Sequence, residues 1–309
     1  MTSLSDRLSN NEIILLDGGV STEIQKRGVP LHSNVWSGLT TKTHPDEVRQ
    51  VHEDYIHAGS QVITANTYAT ARHVLESINL GHESKMINLK SVQLAQQARD
   101  NAADGEVWIA GSMSSMPPLT ASHEVVVSRH AEASYEELAE SLTRAGVDLI
   151  IAEMMRDFDN ARMVIKAAVS TGLPVWVGYS TMMAEDGTDV RSLRWKNADS
   201  SVDTHDFSEL VKALSPLGGQ AAGIMHTQVG NIDPALEVLG KHWSGPKMAY
   251  AETGRLLDAD WSFEQICSPQ NYAKEMKGWI NKHGVQIIGG CCGTGPEHIR
   301  ELKNLLLDG

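Results

Sequence analysis

Short apolar runs alternate with amphipathic stretches from one end of the chain to the other. Eight runs read as strands: Ile13–Asp17, Val62–Asn66, Val107–Ser112, Asp148–Glu153, Val175–Tyr179, Ala221–His226, Lys247–Glu252 and Gln286–Cys291. Most are continuously apolar, the pattern of strands buried on both faces. Between them, apolar residues at helical spacing predict helices over Pro45–His57, Ser84–Asn101, Tyr135–Ala145, Asp159–Ser170, Phe207–Leu214, Pro234–Leu239, Tyr272–Asn281 and Pro296–Leu306. Thr43 stands where a cap for the first is wanted, and Pro296 suits a first helical turn. Gly59, Gly146, Gly172 and Gly284 each fall between a helix and the next strand, where a left-handed helix end is expected. A chain of 309 residues would suggest about two domains by length alone, but barrels run longer as one. The alternation predicts an α/β fold, a closed (β/α)8 TIM barrel forming a single domain over residues 1–309. A doubly wound open sheet is the second choice. It needs a phosphate-binding glycine loop after the first strand, and Asp17-Gly18-Gly19-Val20-Ser21 does not match that fingerprint.

The segments Met113–Ser134, Ser180–Asp206 and Thr253–Gln270 exceed an ordinary βα loop, and all three follow strands. They would therefore gather at the C-terminal face, where barrels keep their active sites. The strand ends at that face are polar: Asp17, then Thr64 to Tyr68, Ser112, Glu153, Tyr179-Ser180, His226-Thr227, Tyr250 to Glu252, and Cys291-Cys292. Each has a plain alternative. Asp17 would cap a turn, His226 would be a satisfied core histidine, and Tyr68, Tyr179 and Tyr250 say little singly. Glu153 is harder to dismiss, because it follows four apolar residues and a buried carboxylate needs a partner.

Charge and composition narrow the class. The net charge of −13 argues against nucleic acid and anionic membrane surfaces as partners. No apolar stretch approaches the ~20 residues of a membrane span, and the first residues lack the apolar core of a signal peptide. Cys267, Cys291 and Cys292 are too few for a disulfide framework, so a reducing cytoplasm is expected. Nothing in the sequence decides whether the chain forms an oligomer.

The adjacent cysteines carry the sharpest chemistry. They end an apolar run and sit in Gly289-Gly290-Cys291-Cys292-Gly293. Neighbours on a regular strand point to opposite faces, but flanking glycines let the backbone bend until both sulfurs meet. Two convergent thiolates suit Zn(II) or another soft ion. The plainer reading is a pair of buried, inert thiols.

With these motifs the chain resembles the homocysteine S-methyltransferase family of zinc-dependent barrels. The resemblance rests on Leu15-Leu16-Asp17-Gly18-Gly19-Val20-Ser21-Thr22-Glu23, Trp36-Ser37, His44-Pro45-Asp46-Glu47-Val48 with His52, Thr64-Ala65-Asn66-Thr67-Tyr68, Ala145-Gly146-Val147-Asp148 before Glu153, and the Gly289–Thr294 run with Pro296. It spans essentially the whole chain. It implies zinc on Cys291 and Cys292, Asp17 and Glu153 as the groups that hold the ammonium of homocysteine, and Thr64, Asn66 and Thr67 beside that substrate. The family's third zinc ligand is a cysteine ending the sixth strand. Here Gly223-Ile224-Met225-His226-Thr227 puts His226 in that place, and histidine is a competent ligand. Two further departures lie at Ser112–Pro118, where the family has Gly-Pro, and at Tyr250–Gly254, where it has Pro-Asn-Ser.

The function so implied is transfer of a methyl group from a sulfonium or quaternary ammonium donor to the thiol of homocysteine, forming methionine. The partners are a small thiol acceptor and a cationic methyl donor, which the faces of Tyr68, Tyr179 and Tyr250 would cradle. Two rivals keep the barrel. One is a metal hydrolase with water at the open zinc position; the other is a non-catalytic amino-acid binder.

Overall fold

The structure is a computed structural model that describes residues 3–116, 130–193, 195–196, 202–257, 260–262 and 267–307. Eight parallel strands make one sheet: β1 (Ile14–Leu15), β2 (Val62–Ala65), β3 (Trp108–Ser114), β4 (Leu149–Met155), β5 (Val175–Tyr179), β6 (Ala221–Gln228), β7 (Lys247–Glu252) and β8 (Val285–Ile288). The spatial order is β1-β8-β7-β6-β5-β4-β3-β2. A parallel bridge between Leu16 and Val62 joins the two ends, with Asp17 N–H donating to the Val62 carbonyl at 3.0 Å. The sheet is thus a barrel, and the open doubly wound alternative is excluded.

Eight helices surround it: α1 (Pro45–Ala58), α2 (Ser84–Ala102), α3 (Ala131–Ala145), α4 (Asp159–Ser170), α5 (Phe207–Leu214), α6 (Val229–Gly240), α7 (Pro269–His283) and α8 (Pro296–Leu307). Among the described residues no helix is long and apolar enough to cross a membrane. Gly59, Gly146, Gly172 and Gly284 all have positive φ, as the helix ends required. Helix α6 starts at Val229, five residues before the expected Pro234. Sequence reasoning put the proline at the first turn, but it is tolerated one turn further in.

The strands explain their own composition. In β4, Leu149 and Ile151 point into the barrel while Ile150 and Ala152 pack against helices. In β7, Met248 and Tyr250 point in while Ala249 and Ala251 point out. Both faces are buried, so the alternation is apolar on apolar and leaves no polar stripe. The barrel floor is closed by a short helix, Leu4–Ser9, which the sequence reading missed. Its Ser3–Asp6 capping box is in place, and Leu4 and Leu8 join the interior cluster around Trp176. Burying two leucines contributes about 3–6 kcal/mol. Gln220 ties this plug to the floor, accepting from Trp176 Nε1 at 3.1 Å and donating to Ser5 Oγ at 2.6 Å.

Of the three long loops, the described parts of the second and third form antiparallel ladders, Thr181–Met183 with Val190–Ser192, Trp195–Lys196 with Val202–Asp203, and Arg255–Leu257 with Asp260–Ser262, all after the C-terminal ends of barrel strands. Pro117 and Pro118, within the departure that follows β3, lie outside the described residues.

Candidate active site at the barrel mouth

At the C-terminal mouth a cavity of about 470 Å³ is walled by Asp17, Glu153, Arg156, His226, Tyr250 and the cysteine pair, among others. The cysteines lie in the turn beyond β8, where glycine is a steric requirement. A Cβ on Gly290 would fall 2.0 Å from Thr294 Cγ2. Gly293 has φ +82° and packs so close that a Cβ would meet Gly254 N at 2.2 Å. Tyr272 of α7 clamps the strand ends beneath this turn: its hydroxyl donates to the Gly289 carbonyl at 2.7 Å and accepts from Ala251 N–H at 3.0 Å.

His226 reaches the pair from β6 through an irregular backbone. Its φ is +42°, in the left-handed region, and the register between β6 and β7 shifts between Met225 and Gln228. A bulge of this kind at a strand end re-aims a side chain, and strain in a non-glycine residue there points to function. His226 Nδ1 lies 3.5 Å from each of the two sulfurs, which are 3.9 Å apart. For Zn–S near 2.3 Å and Zn–N near 2.05 Å, tetrahedral edges are about 3.5 Å between N and S and about 3.8 Å between S and S. By their separations the three donors therefore fit three corners of a tetrahedral soft-metal site. They are the one His/Cys/Asp/Glu cluster of metal-binding spacing among the described residues. Glu252 Oε2 lies 3.4 Å from the same Nδ1.

Charges in this cluster are interdependent. The Cys291 thiol is held well below the usual range by hydrogen bonding from Cys292 and by the His226 cation, and Cys292 is correspondingly pushed up. Burial lowers the pKa of His226, but the Cys291 thiolate and Glu252 outweigh it and bring it up to about 9. Without a metal the site thus keeps a proton on His226 and one on Cys292 at neutral pH. A bound dication requires both to leave. Zinc binding at pH 7 is expected to release about two protons, and its affinity to weaken as pH falls. Calorimetry in buffers of different ionisation enthalpy measures this; no proton release would mean that other groups hold the metal.

Two carboxyls face the same space. Asp17 follows β1 and is buried, accepting from Thr64 N–H at 2.7 Å and from the Thr64 hydroxyl at 2.9 Å. Burial raises its pKa, these donors oppose that, and the net is about 7. Glu153 continues the inward row of Leu149 and Ile151. It accepts from the Ser112 hydroxyl and, at 3.3 Å, from the Tyr250 hydroxyl. Burial again dominates and brings it to about 7. Both are poised to ionise when a cation arrives.

Thr64, Asn66, Tyr68 and Tyr250 line the cavity. The Asn66 amide is already committed, accepting from Ser37 Oγ and donating to Ser37 O, Thr40 Oγ1 and Thr41 Oγ1. It holds the wall in shape. Two expected residues do not reach the cavity. Thr67 is fully buried and exchanges hydrogen bonds with the Ser112 backbone, accepting from its N–H at 3.0 Å and donating to its carbonyl at 2.8 Å. Tyr179 points outward, edge-on to Phe207 of α5. Strand parity is the reason: Trp176 and Gly178 face in, so Tyr179 faces the helices. The space inside Gly178 is taken by Tyr250, since a Cβ there would sit 2.6 Å from its hydroxyl. Sequence reasoning missed Arg156 and Glu252 as cavity residues. Glu252 was legible as a strand end; Arg156 had no signal, because simple alternation from Glu153 turns it outward.

Known proteins resemble this chain in sequence and in fold. Residues 14–306 match the family model described as homocysteine S-methyltransferase. The chain is 29% identical to the homocysteine S-methyltransferase of Escherichia coli over 320 residues, 96% of each chain. It is 25% identical to homocysteine S-methyltransferase YbgG of Bacillus subtilis, covering 98% of this chain and 97% of that one. With betaine–homocysteine S-methyltransferase 1 of Danio rerio it shares 27% identity, over 97% of this chain and 74% of the relative. Among solved structures, the metallated form of the homocysteine methyltransferase MmuM from Escherichia coli shares the fold, with a TM-score of 0.71 at 23% identity over 96% of this chain and 97% of that one. The chain belongs to the homocysteine S-methyltransferase family and is an enzyme of that kind.

Proposed function

We propose that this member of the family moves a methyl group from a sulfonium donor to the thiol of homocysteine, with zinc held by His226, Cys291 and Cys292. One observation carries the reading: a tetrahedral soft-metal donor set and two buried carboxyls of raised pKa share a single cavity. His226, Cys291 and Cys292 would hold the zinc, which when bound would supply the Lewis acidity that lowers the pKa of a substrate thiol. Asp17 and Glu153 hold the acceptor's ammonium, each offering charge that burial alone disfavours and a cation restores. Ser112, Thr64 and Tyr250 fix those carboxylates by donating to them. The faces of Tyr68 and Tyr250 are within the same wall and suit a cationic methyl donor.

The donor class follows from charge. Two thiolates and a neutral imidazole would balance the charge of a zinc dication, whereas three thiolates would leave the centre at −1. A less negative centre binds thiol readily but leaves it a weaker nucleophile, because nucleophilicity falls with thiol pKa. A strongly activated methyl group is therefore needed. With the zinc-loaded protein and homocysteine, S-methylmethionine is expected to give methionine at least about 10-fold faster than glycine betaine does, a difference of roughly 1.4 kcal/mol in barrier. Equal rates, or faster transfer from betaine, would refute the donor assignment. Methionine from neither donor at full zinc content would refute the function.

A further inference from the structure

β4 breaks its own alternation at the cavity. Leu149, Ile151 and Glu153 face inward, so the next inward residue on a regular strand would be Met155. Instead Met154 has φ +59°, and the register with β5 shifts between Ala152 and Met155. Met154 joins the barrel interior, Met155 packs outward, and Arg156 returns to the cavity wall. The residues that follow both neighbouring strands hold the bulge: the Ser115 hydroxyl, just past β3, donates to the Met154 carbonyl, and the Ser180 hydroxyl, just past β5, contacts Met154 Sδ at 3.1 Å. A left-handed non-glycine residue is strained, and a buried guanidinium loses hydration that its surroundings must offset. Arg156 is only 6% exposed. Its neighbour Asp157 accepts from Asn160 N–H at 2.6 Å, at the start of α4. Two unfavourable features thus place one cation in a cavity whose other charged walls include Asp17 and Glu153.

We propose that Arg156 is the carboxylate anchor of this cavity, pairing its guanidinium with the carboxylate of a zwitterionic substrate. Asp17 and Glu153 match an ammonium, and Arg156 supplies the opposite half of an α-amino acid. The planar fork of arginine suits a carboxylate better than any other side chain. The inference rests on the proposed reading of the site. It goes beyond that reading in assigning the carboxylate to a residue delivered by the β4 bulge.

The test is equilibrium binding to the zinc-loaded protein, by calorimetry, of homocysteine and of 3-aminopropane-1-thiol. The second keeps the thiol and amine and lacks the carboxylate. Wild type is expected to prefer homocysteine by about 10-fold or more, as a charge-assisted pair implies. In Arg156→Gln that ratio should fall toward one while 3-aminopropane-1-thiol binds as before, and Arg156→Lys should be intermediate. The same comparison with S-methylmethionine and 3-(dimethylsulfonio)propylamine separates the two sources. A ratio that collapses only for this donor pair assigns the carboxylate to the donor and still supports the anchor. Ratios unchanged in both pairs overturn it. If Arg156→Gln also loses 3-aminopropane-1-thiol, the ratio in Arg156→Lys decides: a wild-type ratio overturns the anchor and a reduced one supports it. Wild type that fails to bind homocysteine overturns the acceptor reading together with this inference, whereas binding with unchanged ratios overturns this inference alone.

Discussion

Cys291→Ser is expected to lose zinc and, with it, thiol methylation. Outer partners of a metal ligand are worth about 10- to 100-fold in metal affinity, so removing a ligand should exceed about 100-fold. His226→Ala should behave in the same way, because His226 is the third member of the donor cluster, 3.5 Å from each sulfur. His226→Cys restores a soft donor at the same strand end and should keep zinc. Zinc stoichiometry and methionine formation for wild type and the three variants give the answer. If His226→Ala keeps both zinc and rate, His226 is not a ligand, and the argument for a sulfonium donor falls with it. The Gly290 and Gly293 backbone should be unaffected by these changes, so circular dichroism should remain that of wild type.

Glu153→Gln and Asp17→Asn should each raise KM for homocysteine by about 10- to 100-fold, with a much smaller change for the donor. Burial raises the pKa of both to about 7 in the metal-free protein, which sets the direction of the pH dependence. As pH falls through about 7 the two carboxyls take up protons and can no longer pair with an ammonium. Homocysteine affinity should therefore weaken below that pH in wild type and weaken less in Glu153→Gln. Stability runs the other way. Glu153 titrates higher in the folded chain than its ordinary 4.5, so its contribution is present below about 4.5 and is lost as pH rises to about 7. Glu153→Gln should consequently be more stable than wild type at pH 8, by on the order of 1–3 kcal/mol, in the absence of substrate and metal. Equal effects on acceptor and donor KM would count against the assignment.

Much of this was readable from residue order, and the reasons are local. Strands buried on both faces must be apolar runs, and amphipathic helices must show a 3.6-residue period. That is why eight strands and eight helices, and the left-handed Gly59, Gly146, Gly172 and Gly284, were legible. The glycine-wrapped Cys291-Cys292 pair was legible too, because only glycine permits that turn. Alternation also contained a warning that went unused: with Trp176 inside, Tyr179 had to face the helices.

What the tertiary structure alone decided lies where the strands depart from regularity. Bulges at Met154 and His226 shift the register, and a single inserted residue reverses which side chain faces the barrel. Arg156 enters the cavity for that reason, and His226 Nδ1 comes within 3.5 Å of both sulfurs. The raised pKa values of Asp17 and Glu153 are likewise products of burial by residues far along the chain. Periodicity is a property of neighbours in sequence, whereas bulges and desolvation are set by contacts that only closure of the barrel creates.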